Sequence, residues 1–385
     1  MGRFTFVILG CLILSETLLV QWILLASGRT PLGAVGFVLL LAAIAALNMG
    51  LVWLLRHRGR GPLGRVLSRA AMLGSLGALF TGPPMLGAFA VGIALLPLGS
   101  ESQVQGVLVA GGGQAVAIGF GSILWGCSIG QRRVVVERIR LPLAGLPPDL
   151  AGVRIAHITD LHIGPQLRPR RLGQLLDKVN ALEPDLIVIT GDIFDFDPAF
   201  IDEGCKELAR LEARCGVYAV LGNHDVYTGA EAVAGGIAQY TKICLLRDES
   251  VCVDVRGRPL HVIGIDDPGS AFRQRTMESA ALPRLLARIP PHEPRLLLMH
   301  RPSYFEQVVR LGVPAALCGH THGGQISLPH PAHHHNISRL MTKWTRGMFR
   351  QGNSAMYVNR GLGVAGPPVR LNCPREISLH ELTPV

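Results

Sequence analysis

Carboxylates, imidazoles and one carboxamide recur just past short apolar runs in the 385-residue sequence. Asp160 and His162 follow Val153-Arg154-Ile155-Ala156-His157-Ile158, and Asp192 follows Leu186-Ile187-Val188-Ile189-Thr190-Gly191. Gly222-Asn223-His224-Asp225 follows Val217–Leu221. His300 follows Leu296-Leu297-Leu298-Met299, and Gly319-His320-Thr321-His322-Gly323-Gly324 follows Ala315–Cys318. Hard carboxylate oxygens mixed with borderline imidazole nitrogens suit Mn, Fe or Zn, with no thiolate required. Taken singly, a buried His is an ordinary core residue, and an Asp at a strand end is often a helix cap. Five strand ends carrying such groups in succession are not explained that way.

The positioning elements follow from the same stretches. Leu186 to Ile189 is a four-residue apolar run, mostly β-branched, as a strand covered on both faces requires. Gly191 breaks it and turns Asp192 out at its carboxyl end, where open α/β sheets bind ligands. Helices are expected at Arg170–Leu182 and Ile201–Glu212. Further strands are expected at Val251–Val255, His261–Ile265, Arg295–Met299, Met356–Val358 and Glu376–Leu379.

Asp-x-His, Gly-Asp-x-x-Asp, Gly-Asn-His-Asp, a lone His and Gly-His-Thr-His together resemble the calcineurin-like metallophosphoesterases, over roughly residues 150 to 385. Gly319 to Gln325, Asn359-Arg360-Gly361-Leu362-Gly363 and the apolar segments in front resemble the family's bacterial membrane-associated branch. The resemblance implies a four-layer αββα sandwich with two divalent ions at the strand ends, Mn foremost, with Fe or Zn as alternatives. By motif position, the first ion takes Asp160, His162, Asp192 and His322. The second takes Asp192, Asn223, His300 and His320. A shared Asp192 fits, because two cations about 3.5–4 Å apart repel unless a carboxylate lies between them. The implied reaction is attack of a metal-bridging hydroxide on phosphorus. His224 would protonate the leaving oxygen, as an imidazole titrating near working pH can, and Asp195 would hold its ring. The expected substrate is a phosphomonoester, phosphodiester or pyrophosphate, amphiphilic or lipid-linked forms included. The rival readings are a non-catalytic membrane receptor or scaffold of the same fold and a nuclease of the same fold. Asp266 and Asp267 read as structural. His330, His333, His334 and His335 read as a histidine-rich loop, with metal binding as the alternative.

The first 130 residues carry most of the apolarity behind a mean hydropathy of +0.34. Four segments are long enough to span a bilayer: Phe4–Ala26, Leu32–Leu55, one within Ala70–Leu98 that Pro83-Pro84 should kink or interrupt, and Val104–Ile129. The first is too long for a signal peptide and lacks a small-x-small cleavage site. Glu16 inside it is either functional or turned toward a neighbouring helix. Arg56, Arg58, Arg60, Arg65 and Arg69 follow the second segment, and Arg132, Arg133, Arg138 and Arg140 follow the fourth. The positive-inside rule then places both termini and the catalytic domain on the cytoplasmic face of the inner membrane. The expected domains are a helical membrane region over 1–131, a linker over 132–150 and the phosphoesterase over 151–385. With 37 Lys+Arg against 27 Asp+Glu the net charge is +10. This charge clusters beside apolar segments, so lipid is the expected partner; nucleic acid is not, since no recognisable nucleic-acid module accompanies it. The eight cysteines form no CxxC pair and read as reduced thiols. Ile337, Leu340, Met341, Trp344 and Met348 recur at helical spacing opposite Arg339, Lys343, Arg346 and Arg350. This predicts an amphipathic helix over Asn336–Arg350, either interfacial or packed on the domain's own core.

Overall fold

The computed structural model describes residues 3–58, 62–269 and 277–385. Arg60, one of the loop cations above, lies outside them. The chain divides into two compact units, Met1–Ile129 and Gly130–Val385.

The first unit holds α1 (Arg3–Ala26), α2 (Ala34–Arg58), α3 (Pro62–Leu95) and α4 (Glu101–Trp125). Each contains a stretch long and apolar enough to cross a membrane. α3 runs through Pro83 and Pro84 as one helix, so of the kink or interruption expected there, the interruption does not occur. Small residues let the helices approach closely: a Cβ on Gly112 would lie 2.0 Å from the Trp22 ring. Glu16 faces a neighbouring helix and accepts a 2.7 Å hydrogen bond from Asn48 Nδ2.

The second unit runs β1 (Val134–Pro142), β2 (Arg154–Ile158), α5 (Pro169–Asn180), β3 (Leu186–Thr190), α6 (Ile201–Leu208), β4 (Val217–Val220) and α7 (Asn223–Tyr240). It continues through β5 (Cys244–Leu245), β6 (Glu249–Val255), β7 (Arg258–Gly264), α8 (Ala281–Leu286), β8 (Arg295–Leu298), α9 (Phe305–Arg310) and β9 (Ala315–Cys318), and ends with β10 (Gly347–Gln351), β11 (Ser354–Val358) and β12 (Arg375–Thr383). Two six-stranded mixed sheets result, in the orders β1-β12-β2-β3-β4-β5 and β10-β11-β9-β8-β7-β6.

Side-chain alternation along the buried strands sorts the residues into layers. Ile155, Leu186 and Val188 of the first sheet join Val262, Leu296, Leu298 and Leu317 of the second in a core between the sheets. Ala156, Ile187 and Ile189 point the other way, against Leu172, Leu176 and Val179 of α5 and Cys205 and Leu208 of α6. Ile263, Leu297 and Ala316 likewise leave the second sheet outward to meet Leu282 of α8 and Phe305 and Val308 of α9. The architecture is therefore helices, sheet, sheet, helices, as the resemblance implied.

Two expectations fail. Residues 132–150 are not a linker. They contain β1, which pairs parallel with β12 in the register Val134↔Arg375. Its charged side chains Glu137, Arg138 and Arg140 hid the strand, but an edge strand tolerates a polar face. Nor is Asn336–Arg350 one helix. A short 3₁₀ turn, Ile337–Leu340, ends before an irregular stretch, and β10 then begins at Gly347, which takes φ 83°. Trp344 packs edge-on against Phe305 and Phe349, each at 5.0 Å between centroids, while Ile337 and Leu340 stay exposed, so only part of this apolar side packs on the domain's own core. All eight cysteines are free thiols.

Candidate metal centre

Each candidate ligand stands just beyond the carboxyl end of a parallel strand. Asp160 and His162 follow β2, Asp192 follows β3, and Asn223 opens α7 after β4. From the facing sheet come His300 after β8 and His320 and His322 after β9. The loops are joined by backbone hydrogen bonds, Asp160 N to Gly191 O and His162 N to Asp192 O, both 3.0 Å. The Asp160 carboxylate accepts from His320 N at 3.1 and 3.0 Å, which joins the two sheets at this end.

The local backbone is strained where the ligands sit. Asp160 (φ 49°), His162 (φ 47°), Asp192 (φ 50°), His320 (φ 71°) and His322 (φ 50°) are all left-handed. For a residue with a Cβ this costs about 1–2 kcal/mol, and clusters of such outliers mark functional sites. The flanking glycines are demanded by close approach: a Cβ on Gly222 would fall 2.2 Å from Asp192 Oδ1, and one on Gly319 2.2 Å from Asp160 Oδ2.

The donor atoms converge in overlapping groups, Asp160 with His162 and His322, His162 with Asp192 and His224, and Asp192 with His300 and His320, the atoms of each group lying within 4.8 Å of one another. His322 Nε2 is 3.4 Å from Asp160 Oδ1 and 3.0 Å from His162 Nε2. His300 Nε2 is 3.2 Å from Asp192 Oδ2 and 3.1 Å from His320 Nδ1. His300 Nδ1 donates to Thr190 O at 2.8 Å, which fixes the tautomer and leaves Nε2 for a cation. Asn223 Oδ1 is buried with no hydrogen-bond partner. An orphaned carbonyl oxygen beside facing imidazole nitrogens and two carboxylates is what a pair of divalent ions would satisfy, so the residues fit such ions.

The electrostatics agree. Burial opposes protonation of His300, but Asp192 and Asp160 outweigh it and push the imidazole up to about 10; the pocket favours positive charge. Burial, reinforced by His300, holds His320 well below the ordinary histidine range, and burial with His162 does the same to His322, so both keep lone pairs available.

His224 is mostly buried, with its side chain 16% exposed and its Nδ1 3.2 Å from Asp195 Oδ1. Its backbone N donates to Asp192 Oδ1 at 2.8 Å. Burial would raise Asp195, but the neighbouring imidazoles of His162 and His224 prevail and bring it to about 2, so it remains a carboxylate. Phe196 and Tyr227 flank the His224 ring at 4.5 and 5.8 Å between centroids.

Three supporting residues escaped the sequence reading. Buried Asp225 accepts from Gly222 N and Phe194 N at 2.8 Å each and from Ile193 N at 3.1 Å, stapling the Asn223 loop to the Asp192 loop. Its place in Gly-Asn-His-Asp was the available signal. Arg301, next to His300, is buried against Asp267, Nη2 to Oδ1 at 3.0 Å, and with His320 and Thr321 lines a small cavity. Arg370 is fully buried and donates to the carbonyls of Arg360 and Gly361 at 2.9 and 3.0 Å and of Gly363 at 2.7 Å. It thereby presses that loop against Asp160, and nothing in the sequence marked it. The histidine patch forms a ring stack, His330 on His333 at 5.0 Å and His333 on His334 at 4.2 Å. Among the described residues it forms no cluster able to hold a metal. The Asn336 segment instead braces the His320 loop: Ser338 Oγ donates to Thr321 O at 3.0 Å, and Thr321 Oγ1 to Thr345 O at 2.6 Å.

Residues 153–324 match the family model of the calcineurin-like phosphoesterases. Over that stretch the second unit is a calcineurin-like metallophosphoesterase domain. A "transmembrane protein with metallophosphoesterase domain" from Bos taurus is 27% identical over 252 residues, 63% of this chain and 56% of that protein. An uncharacterized metallophosphoesterase of Campylobacter jejuni is 27% identical over 248 residues, 64% of this chain and 63% of that protein. The chain thus matches little more than half the length of these relatives. A dimetal phosphatase from Danio rerio aligns with TM-score 0.35 and 13% identity, over 56% of this chain and 90% of that one.

Proposed function

We propose that the chain is a dinuclear metal-dependent phosphoester hydrolase anchored by its four apolar helices, with the catalytic domain on the cytoplasmic face. Asp160, His162, Asp192 and His322 would hold one ion, and Asp192, Asn223, His300 and His320 the other. When bound, such ions supply a nucleophile from water near neutral pH and counter-charge for the phosphoryl oxygens. Asn223 contributes a neutral donor, which limits the negative charge an anionic substrate must approach. Asp195 orients His224 through Nδ1, leaving Nε2 to carry the proton for the leaving oxygen. Arg301, fixed by Asp267, adds a guanidinium beside His320 for phosphoryl oxygens.

The observation that supports this reading is the overlap of donor groups at Asp192, with three orienting imidazoles arriving from the opposite sheet. Purified full-length protein with Mn should hydrolyse nitrophenyl phosphomonoesters or diesters, with two ions bound per chain by elemental analysis. Two ions bound without turnover of any ester or lipid-linked pyrophosphate would favour a non-catalytic receptor. The orientation rests on the arginine-rich loops. A reporter fused at the C-terminus should behave as cytoplasmic, and digestion of the domain from outside intact cells would overturn that.

A further inference from the structure

A second charged feature lies outside the metal centre. Arg132, Arg168, Arg170, Arg171 and Lys178 line an open cleft of about 500 Å³, and no acidic side chain lines it. Among the described residues none of the five is ion-paired; Arg171 Nη2 donates to the carbonyl of Gln131 at 2.8 Å. The same carbonyl accepts Arg375 Nε at 2.6 Å. Arg375 is fully buried, and its Nη1 and Nη2 have no partner. Burial, with Arg370 and Arg171 nearby, pushes it down to about 8.

The helix makes the charge more telling. Arg168 is the N-cap of α5, Arg170 and Arg171 lie in its first turn, and no acidic residue stands there. Cations at a helix N-terminus oppose the macrodipole, whereas an anion there is favoured. The cleft also has a defined place. β12 is antiparallel to β2, so Arg375 starts at the end of the sheet where β2 delivers Asp160 and His162. β1 lies two strands from β2, about 10 Å along the sheet. Arg132 itself follows by two residues the apolar stretch Glu101–Gly130.

We propose that this cleft binds a phosphate-bearing anion, separately from the metal centre, and that the headgroup of an anionic membrane phospholipid is its natural source. Arginines pair bidentately with phosphate oxygens, and a site tied to the end of an apolar stretch meets headgroups before soluble esters. This extends the phosphoesterase reading without depending on it, because binding is measured on chelated protein.

The test uses full-length protein in neutral detergent with EDTA present. Titrations by calorimetry would use dihexanoyl phosphatidylglycerol, dihexanoyl phosphatidylcholine and inorganic phosphate. Phosphatidylglycerol should bind with an affinity that falls as salt rises, and phosphatidylcholine should bind at least tenfold more weakly. The variant R168Q/R170Q/K178Q, altered only at exposed positions, should lose at least tenfold in affinity while hydrolysing a soluble nitrophenyl ester with Mn as before. Binding of inorganic phosphate alone, lost in the same variant, would keep the anion site but assign it to soluble phosphate. Unchanged phosphatidylglycerol binding by the variant, or equal binding of phosphatidylcholine, would overturn the proposal.

Discussion

The two sheets contribute unlike halves to one centre. The first sheet brings the charge: Asp160, Asp192 and Asp195 all stand beyond its strands. The second brings His300, His320 and His322, and no carboxylate among the candidate ligands. The first half gathers one candidate group by itself, His162 with Asp192 and His224, but the other two groups are completed only by imidazoles from the second. Without the second half, Asp160 and Asp192 would lack His300, His320 and His322 as partners, and imidazoles without carboxylates would hold divalent ions weakly. Cations bound between them would therefore tie the sheets together as well as serving chemistry.

The sharpest way to break this picture is to remove charge from the first half. Asp192→Asn should lower turnover by more than the roughly 10³-fold that loss of one preorganised electrostatic group costs, and should reduce metal content by elemental analysis. Full activity with two ions bound would end the assignment of Asp192 as the shared ligand. His224→Ala tests whether the first half also supplies the proton. It should keep its metals yet lose roughly 10²–10³-fold on esters with poor leaving groups, and much less on nitrophenyl esters. A uniform loss across a leaving-group series would exclude His224 from that role.

The smallest effect sharpens the claim that ions join the halves. At metal concentrations near 100 times the dissociation constant, binding stabilises by about 2.7 kcal/mol. For a unit of this size that raises Tm by roughly 5–10 °C over chelated protein. In His320→Ala the rise should shrink by at least half while the chelated Tm stays close to that of the parent. An undiminished rise would mean that the second sheet does not hold the ion.

Much of this centre was legible because its chemistry sits at strand ends, and strands covered on both faces announce themselves as apolar runs such as Leu186–Ile189. What stayed hidden was hidden for physical reasons. β1 carries Glu137, Arg138 and Arg140 on an edge, so its periodicity is diluted. The Asn336–Arg350 pattern matched a helix in period, but Thr342 Oγ1 accepting from Trp344 N and the Thr345 carbonyl accepting from Thr321 Oγ1 tie this backbone into a non-helical path. Arg370 acts through carbonyl groups that any sequence possesses, so its role could only be seen in place. Asp267 read as structural, and the ion pair with Arg301 shows what that structure is for.

The left-handed backbone at Asp160, His162, Asp192, His320 and His322 has a consequence for heritable variation. Glycine occupies that region freely, so at each of these positions a glycine would relieve roughly 1 kcal/mol of strain while deleting a ligand. Selection for heat resistance in metal-poor conditions would then enrich inactive sequences. If these residues hold ions, a lineage that keeps aspartate and histidine at all five positions would be one filtered for ion binding rather than for the robustness of the bare fold.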